Sequence, residues 1–157
     1  MLQNSITVKQ RYERFIKKVC ETGIVYGLKN AEGFATSESN DFEDEDGALE
    51  LICFWSEKGL AQFCAKEEWR EYEPTEISLE NFIENWCIGM YNDGLIVGVN
   101  FDQNLFGFEI EPLNMVKALL VELRKQAKEL SLRKFKSVSE LEILLTPSKV
   151  HSPNKNN

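Results

Sequence analysis

Residues 78–99, SLENFIENWCIGMYNDGLIVGV, determine how the rest of the chain is interpreted. In the first half of this stretch, apolar side chains recur at helical spacing, which predicts an amphipathic helix with one buried stripe. The stripe consists of Leu79, Phe82, Ile83, Trp86, Cys87 and Met90. Ser78 can cap the start of this helix, and Gly94 can end it. The apolar run 95–99 is typical of a buried strand, so the stretch predicts helices packed on a sheet.

The chain before this stretch alternates between helical and extended patterns. Thr7 and Gln10 fit a capping box, and a helical stripe runs from there to Thr22. The other predicted elements are strands at 24–28, 34–36, 48–55 and 75–77 and a helix that begins after Ser56. The run 48–55 is too densely apolar for an edge strand, so we expect it in the centre of the sheet.

The chain after this stretch predicts one more strand, at 105–110, and a last helix. Pro112 suits the first turn of that helix, which the apolar spacing extends over 112–131. Residues 132–157 are predicted to be an extension that ends in a disordered tail. The elements together predict an α+β fold: a single compact domain over residues 1–131, with a mixed or antiparallel sheet of about five to six strands packed by four helices.

The net charge of −8 is unevenly distributed along the sequence. Residues 1–30 carry a net charge of +4, residues 31–113 carry −17, and residues 114–157 carry +5. The acidic middle repels polyanions, so nucleic-acid binding is not expected and would have to use the basic ends. The groups available there are Arg11, Arg14, Lys17, Lys18 and the cluster within 124–136. The simpler interpretation is that the basic ends pack against the acidic body.

The cysteines and the histidine provide no assembled catalytic group. The four cysteines form no C-x-x-C pair and lie in apolar surroundings, which predicts reduced thiols in a cytoplasmic protein. His151, the single histidine, lies in the predicted tail and cannot be held beside a nucleophile there. We predict no metal site, cofactor, membrane span or signal peptide, while the question of an enzymatic activity stays open.

Residues 38–47, ESNDFEDEDG, place six carboxylates in ten residues. In an EF-hand loop with Gly47 at the sixth position, Phe42 would occupy the first, where a carboxylate is required. The failed spacing disfavours a specific metal site, although six carboxylates could still bind a divalent cation weakly. The stretch is otherwise a solvated loop between strands or a docking surface for a basic protein, with Phe42 as an apolar anchor. The candidate binding residues of this surface are Asp41, Phe42, Glu43, Asp44, Glu45 and Asp46.

A second set of candidate binding residues lies near the ends of predicted elements. These residues are Trp55, Tyr91, Asn100 and Asp102. Because ligand pockets often form where elements end, they suggest a small-molecule site or an enzyme pocket. A turn-forming role is the favoured interpretation of Asp102, and core packing is the favoured interpretation of Trp55.

Several motifs of the chain, spread over residues 8–113, resemble a bacterial family known as domain of unknown function 2750. The motifs are GIVYGLK (23–29), GFATSES (33–39), FWS (54–56), KEEW (66–69), YEPTEISLENFIENW (72–86) and GMYNDGLIVGVNFD (89–102). The resemblance implies a compact bacterial cytosolic module and names no catalytic residue. We predict a small acidic cytosolic protein that binds a basic partner, in the manner of an immunity or inhibitor protein. The alternative is a small-molecule-binding protein or enzyme; the oligomeric state is not predicted.

Overall fold

The computed structural model describes residues 2–132 together with Leu141 and Leu145. Its α-helices are α1 (Leu2–Thr22), α2 (Lys58–Cys64), α3 (Leu79–Asn81), α4 (Ile88–Asp93) and α5 (Pro112–Lys125). A π-helical segment, Phe82–Cys87, joins α3 to α4, and a 3-10 turn spans Glu67–Trp69. The strands are β1 (Ile24–Asn30), β2 (Gly33–Phe34), β3 (Thr36–Asp44), β4 (Gly47–Phe54), β5 (Glu73–Ser78), β6 (Ile96–Val99) and β7 (Phe108–Ile110).

The predicted α+β class is confirmed, with the strands of the described residues divided between two sheets. An antiparallel sheet has the order β2-β1-β5, and a mixed sheet has the order β3-β4-β6-β7, in which β4 and β6 run parallel. Tyr26 and Trp55 exchange two backbone hydrogen bonds of 2.9 and 2.8 Å that join the sheets. The run predicted at 48–55 is β4, with paired neighbours on both sides, as expected.

The helix predicted from Leu79 to Met90 is confirmed. The Ser78 hydroxyl accepts a hydrogen bond of 3.1 Å from the Asn81 N–H, so Ser78 is the cap. Gly94 ends the helix with a φ of +72°, a backbone conformation that glycine adopts without strain. The helix leads directly into β6, which is buried throughout.

Two apolar cores lie on opposite faces of the strands. The first core contains side chains from α1, the helix over 79–93 and α5, among them Phe15, Phe82 and Leu119. Helical Leu141 and Leu145 are also buried in it. The second core lies beneath α2 and includes Trp55 and Trp69. Because apolar side chains cover both faces of the strands, exposed polar residues are found mainly at the ends and edges of the two sheets.

Two predicted helix boundaries are wrong. The helix α1 already begins at Leu2, so Thr7 lies inside it and not at its cap. The helix α5 ends at Lys125, six residues before the predicted end at 131. Ala127 takes a φ of +55°, and the Lys128 N–H donates to the Leu123 carbonyl over 2.9 Å, which closes the helix with a left-handed turn.

Candidate functional site

The acidic stretch is a strand and not the solvated loop that was one of our two predictions. Residues 36–44 form β3, which pairs antiparallel with β4 through a turn at Glu45 and Asp46. We call residues 36–50 the acidic hairpin. Every carboxylate of the stretch is exposed on it, as is Glu50. The charges are therefore fixed on an ordered edge strand of the mixed sheet.

A bulge in β3 is held by the buried carboxylate of Glu109 on β7. The register with β4 shifts between Glu38 and Glu43. Inside the bulge, the Ser39 hydroxyl donates to Glu109 Oε1, the Asn40 N–H donates to Oε2 over 2.8 Å, and the Asp41 N–H donates to Oε1 over 3.3 Å. Glu109 is only 7% exposed, so these bonds replace the water that its charge would otherwise require.

Glu109 lies at the edge of the mixed sheet that is opposite to the bulge. Cys53 on β4, Gly98 on β6 and Glu109 are register neighbours in one row across the sheet. The Phe101 ring and the Leu51 side chain cover Gly98 in this row, so the hydrogen bonds to Glu109 form because the bulged part of β3 approaches it. The bulge and β7 are thereby connected although they lie at opposite edges of the sheet.

The acidic hairpin places two like charges directly opposite each other. Glu38 and Glu50 are register partners on β3 and β4, and both are exposed. Like charges at directly opposed positions destabilise a pair of strands. The ion pairs among the described residues, Arg11–Asp102 at 3.7 Å and Arg14–Glu57 at 2.9 Å, do not involve the hairpin. Its negative potential is therefore left uncompensated by these pairs.

Replacing Glu50 with lysine is expected to stabilise the free protein by about 0.5–1 kcal/mol, because a repulsive pair with Glu38 becomes an attractive one. Urea unfolding at low ionic strength measures the change. Glu50→Gln serves as the control and should give about half of the gain. Equal or lower stability of both variants would show that the opposed charges cost nothing.

Phe42 and Trp55, both predicted binding residues, are packed within the protein. Phe42 is half-buried against the second core, so only part of its ring is available to a partner. Trp55 is completely buried, and its indole N–H donates to the Phe101 carbonyl over 2.9 Å. A buried indole with its one donor satisfied has a structural role.

Asn100 joins three parts of the chain and is 3% exposed. Its side-chain oxygen accepts from the Ser56 N–H over 3.0 Å, and its amide group donates to the Arg11 carbonyl over 3.1 Å. The Arg11 guanidinium in turn donates to the Asn100 carbonyl over 3.2 Å. Asn100 has a φ of +46°, which asparagine tolerates better than most residues. This side chain therefore links α1, β6 and the start of the α2 segment.

Asp102 and Arg11 border a cavity of about 450 Å³ at the end of β6. Asp102 Oδ1 accepts from the N–H groups of Asn104 and Phe106 over 2.9 and 3.1 Å, which confirms its role as a turn former. Its other oxygen lies 3.7 Å from Arg11 Nη1. The ring of Phe106 lines the same cavity and is 58% exposed. Trp55, Tyr91 and Asn100 are not among its lining residues, so Asp102 is the only one of the four predicted pocket residues that lines this cavity.

Tyr91 lies near the other end of β6, away from Asn100 and Asp102. It is 55% exposed and lines a separate cavity of about 380 Å³. Leu49 of the acidic hairpin also lines this cavity. The structure therefore does not bring Tyr91 together with Asn100 and Asp102 as one pocket, but it places Tyr91 beside the acidic hairpin.

The four thiols are buried, and burial raises their pKa values. Desolvation is the main cause: it raises the pKa of Cys20 to about 12 and that of Cys64 to about 11, and it raises those of Cys53 and Cys87 well above their ordinary value of 9.0. A protonated thiol is a poor nucleophile.

Among the described residues, no group of three or more histidine, cysteine, aspartate or glutamate side chains is arranged to hold a metal ion. None of the described helices is long and apolar enough to cross a membrane, and His151 lies outside the described residues.

The raised thiol pKa values predict that stability falls in alkaline solution. The folded state keeps these protons, whereas the unfolded chain releases them near pH 9.0. The stabilisation is complete below that pH and is lost as the pH rises toward the folded pKa values. Cys53 and Cys87 should each contribute a loss on the order of 1 kcal/mol at pH 10. Urea unfolding at pH 8 and pH 10 under reducing conditions measures it, and Cys87→Ala should reduce the difference; equal stability at both pH values contradicts the account.

Comparison with known proteins identifies the family. Residues 12–119 match the model of DUF2750, which is described as a protein of unknown function. This chain belongs to the DUF2750 family. No curated protein matches it. Among solved structures, Anabaena Tic22 (protein transport) is similar with a TM-score of 0.39 and 14% identity, over 78% of this chain and 57% of that one. The chain therefore spans little more than half the length of that structure.

The DUF2750 segment contains most of the residues described above, including several that sequence reasoning missed. Ser39 and Glu109 were not predicted, although Glu109 stands between Phe108 and Ile110 in a strand and must therefore point to the other face of the sheet. The alternation of side chains along β7 was therefore the sequence signal that the Glu109 carboxylate lies on the inner face of the sheet. Arg11 lies just before the DUF2750 segment and was assigned only to a basic end.

Proposed function

We propose that this DUF2750 protein is a protein-binding module whose acidic hairpin docks a basic partner. The observation that carries the proposal is the opposed pair of Glu38 on the edge strand β3 and Glu50 on its neighbour β4. Placing these charges face to face reduces the stability of the free protein, and a cationic group of a partner would relieve the repulsion. Clustered charge of one sign also accelerates encounter with an oppositely charged surface.

The rigidity of the acidic hairpin supports the same proposal. Its bulge is held by three hydrogen bonds to Glu109, so the carboxylates of Asp41 and its neighbours are preorganised before a partner arrives. Preorganised groups lose less conformational entropy on binding than mobile ones. No strand of the described residues pairs with the outer side of β3, so its backbone offers further hydrogen bonds to a docked segment.

The proposed role is that of an inhibitor or immunity protein, in which the hairpin covers a basic surface of its partner and blocks it. A cytoplasmic location is part of this proposal and agrees with four unpaired, buried thiols. The two basic residues of α1 that form ion pairs, Arg11 and Arg14, are engaged with Asp102 and Glu57. Their engagement argues against a nucleic-acid-binding role for this part of the basic N-terminal segment.

Affinity capture from a lysate of the source organism tests the proposal. The immobilised protein is compared with a hairpin variant that carries Asp41→Asn, Glu43→Gln, Asp44→Asn and Asp46→Asn, at about 0.05 M and 0.5 M NaCl. We expect a basic protein that is retained only by the wild type at low salt. Retention by both proteins, or at both salt concentrations, would refute docking through the acidic hairpin.

A second candidate function is the binding of a small zwitterion in the cavity between Arg11 and Asp102. Arg11 Nε is buried without a hydrogen-bond partner among the described residues, and one oxygen of Asp102 has only the loose contact with Arg11. Adjacent charges of opposite sign suit a ligand that carries both an ammonium and a carboxylate group, with Phe106 available to an apolar part. Thermal-shift measurements test this second function with L-phenylalanine and with its N-acetyl and amide derivatives, each of which lacks one of the two charges. Only L-phenylalanine itself should raise the melting temperature of the protein. An equal response to all three compounds would refute the binding of a zwitterion.

A further inference from the structure

We infer that the cavity beside the acidic hairpin is an anchor pocket, and that the partner's docking segment inserts one apolar side chain into it, flanked by lysine or arginine residues. This inference rests on the proposed function and names the kind of segment that the acidic hairpin takes. The cavity has a volume of about 380 Å³, and its apolar walls include Leu49, Tyr91, Leu95 and Leu113.

The offset between two strands creates this cavity. The first residue of β6, Ile96, pairs with Leu51 on β4. The first part of β4, residues 47–50, therefore extends beyond the start of β6, and no strand in the described part of the chain pairs with it on that side. Leu49 lies in this overhang, and the turn at Gly94 together with the start of α5 lies across from it. The gap between the overhang and α5 is the cavity.

The surroundings of the cavity decide what can occupy it. Leu49 is flanked by Ala48 and Glu50, whose register partners on β3 are Glu43 and Glu38. Glu50, Glu38 and Glu43 are therefore the hairpin carboxylates nearest to Leu49 along the strands, although they alternate onto the other face and none of them lines the cavity. On the other wall, Glu111 and Lys117 carry opposite charges and largely cancel. The excess charge next to the cavity is thus the negative charge of the exposed acidic hairpin, and an apolar side chain between basic residues complements both features.

The exposure of Tyr91 indicates that the cavity is unfilled by the described part of the chain. The side chain is 55% exposed although it stands beside Leu95 and Leu113, which are half-buried. Tyrosine at the rim of an apolar pocket is typical of residues that dominate binding energies at protein interfaces. Its aromatic ring provides contact area, and its hydroxyl group stays in water.

Fluorescence polarisation with labelled peptides tests the inference on the full chain. The probes are a short lysine-rich peptide with one central tryptophan, the same peptide with central glycine, and a glutamate-rich peptide with central tryptophan. We expect the tryptophan–lysine probe to bind at least about tenfold more tightly than the glycine probe, and the glutamate probe not to bind. Tyr91→Ala should remove the preference for tryptophan, whereas Tyr91→Phe should keep most of it.

The outcomes separate this inference from the proposed function. If both lysine probes bind equally and the hairpin variant weakens both, docking on the acidic hairpin holds and the anchor pocket is refuted. If neither lysine probe binds, the proposed function itself fails. If Tyr91→Ala weakens both lysine probes equally, Tyr91 does not select an apolar side chain, and the inference is wrong. Tyr91 is largely exposed, so the circular dichroism spectrum of both variants should match that of the wild type.

Discussion

Replacing Glu109 with alanine is expected to lower the free energy of unfolding by about 3 kcal/mol and to release the bulge of the acidic hairpin. The change removes the acceptors of the Ser39 hydroxyl and of the Asn40 and Asp41 N–H groups. It also leaves a cavity in a nearly buried position. Urea unfolding measures the stability, and amide hydrogen exchange at Asn40 and Asp41 measures the release of the bulge.

Glu109→Gln is the matched control for this prediction. Glutamine keeps the size of the side chain and one acceptor oxygen, but its NH₂ group faces N–H donors of the bulge. We expect a stability between those of the wild type and the alanine variant, with faster exchange at one of the two amides. If the alanine variant unfolds at the same urea concentration as the wild type, or if exchange within the bulge is unchanged, Glu109 does not hold the acidic hairpin.

Neutralising four carboxylates of the acidic hairpin is expected to weaken partner binding by about 100-fold, or roughly 0.7 kcal/mol for each charge. The substitutions are Asp41→Asn, Glu43→Gln, Asp44→Asn and Asp46→Asn. The asparagine introduced at position 44 would still accept the turn hydrogen bond that the Asp46 N–H now donates to Asp44, so the turn should persist. The loss should appear mainly in the association rate, because long-range attraction steers the encounter. Surface-based kinetic measurements with the captured partner provide this rate.

A charge-matched variant tests whether position, and not net charge, matters. Glu68, Glu71, Glu73 and Glu76 are exposed and lie outside the acidic hairpin, so changing all four to glutamine alters the net charge equally. We expect less than about a threefold effect from this variant at 0.1 M salt, where the Debye length is about 10 Å. Equal losses from the two variants would mean that the partner responds only to overall charge.

The elements that were predicted correctly have signals that lie close together in the sequence. Ser78, the helical spacing after it and Gly94 all act within one helix, so a short window contains the whole signal. The strand β6 follows at once as a fully apolar run. Local spacing, caps and turn residues suffice when the neighbouring residues decide the conformation.

The acidic strand could not be predicted in the same way because its stabilising group is distant in sequence. A stretch as charged as β3 has low strand propensity. Glu109 supplies the missing acceptors from far along the chain, at a separation of 69 residues from Asn40. The end of α5 was missed for a different reason. The helical spacing of apolar residues continues past Lys125, but Ala127 adopts a left-handed conformation that ends the helix. Tertiary contacts and a single left-handed residue overrode the local pattern.

The candidate site was predicted in part, and the reason again lies in pairings across the chain. Asp41, Asp44 and their acidic neighbours were singled out by composition, and they are exposed as a binding surface requires. The register that opposes Glu38 to Glu50 and the overhang that exposes Tyr91 depend on how β4 pairs with β3 and β6. Sequence spacing does not specify such pairings.

Hydrogen–deuterium exchange of the protein with its captured partner tests most directly whether the acidic hairpin is the docking surface. Partner binding should slow the exchange of amides in residues 36–50 and in the segment around Tyr91, and the protection should disappear when salt is raised to about 0.5 M. The helix α1 should show no change. Protection confined to α1 or α5, with the hairpin exchanging as fast as in the free protein, would contradict the account.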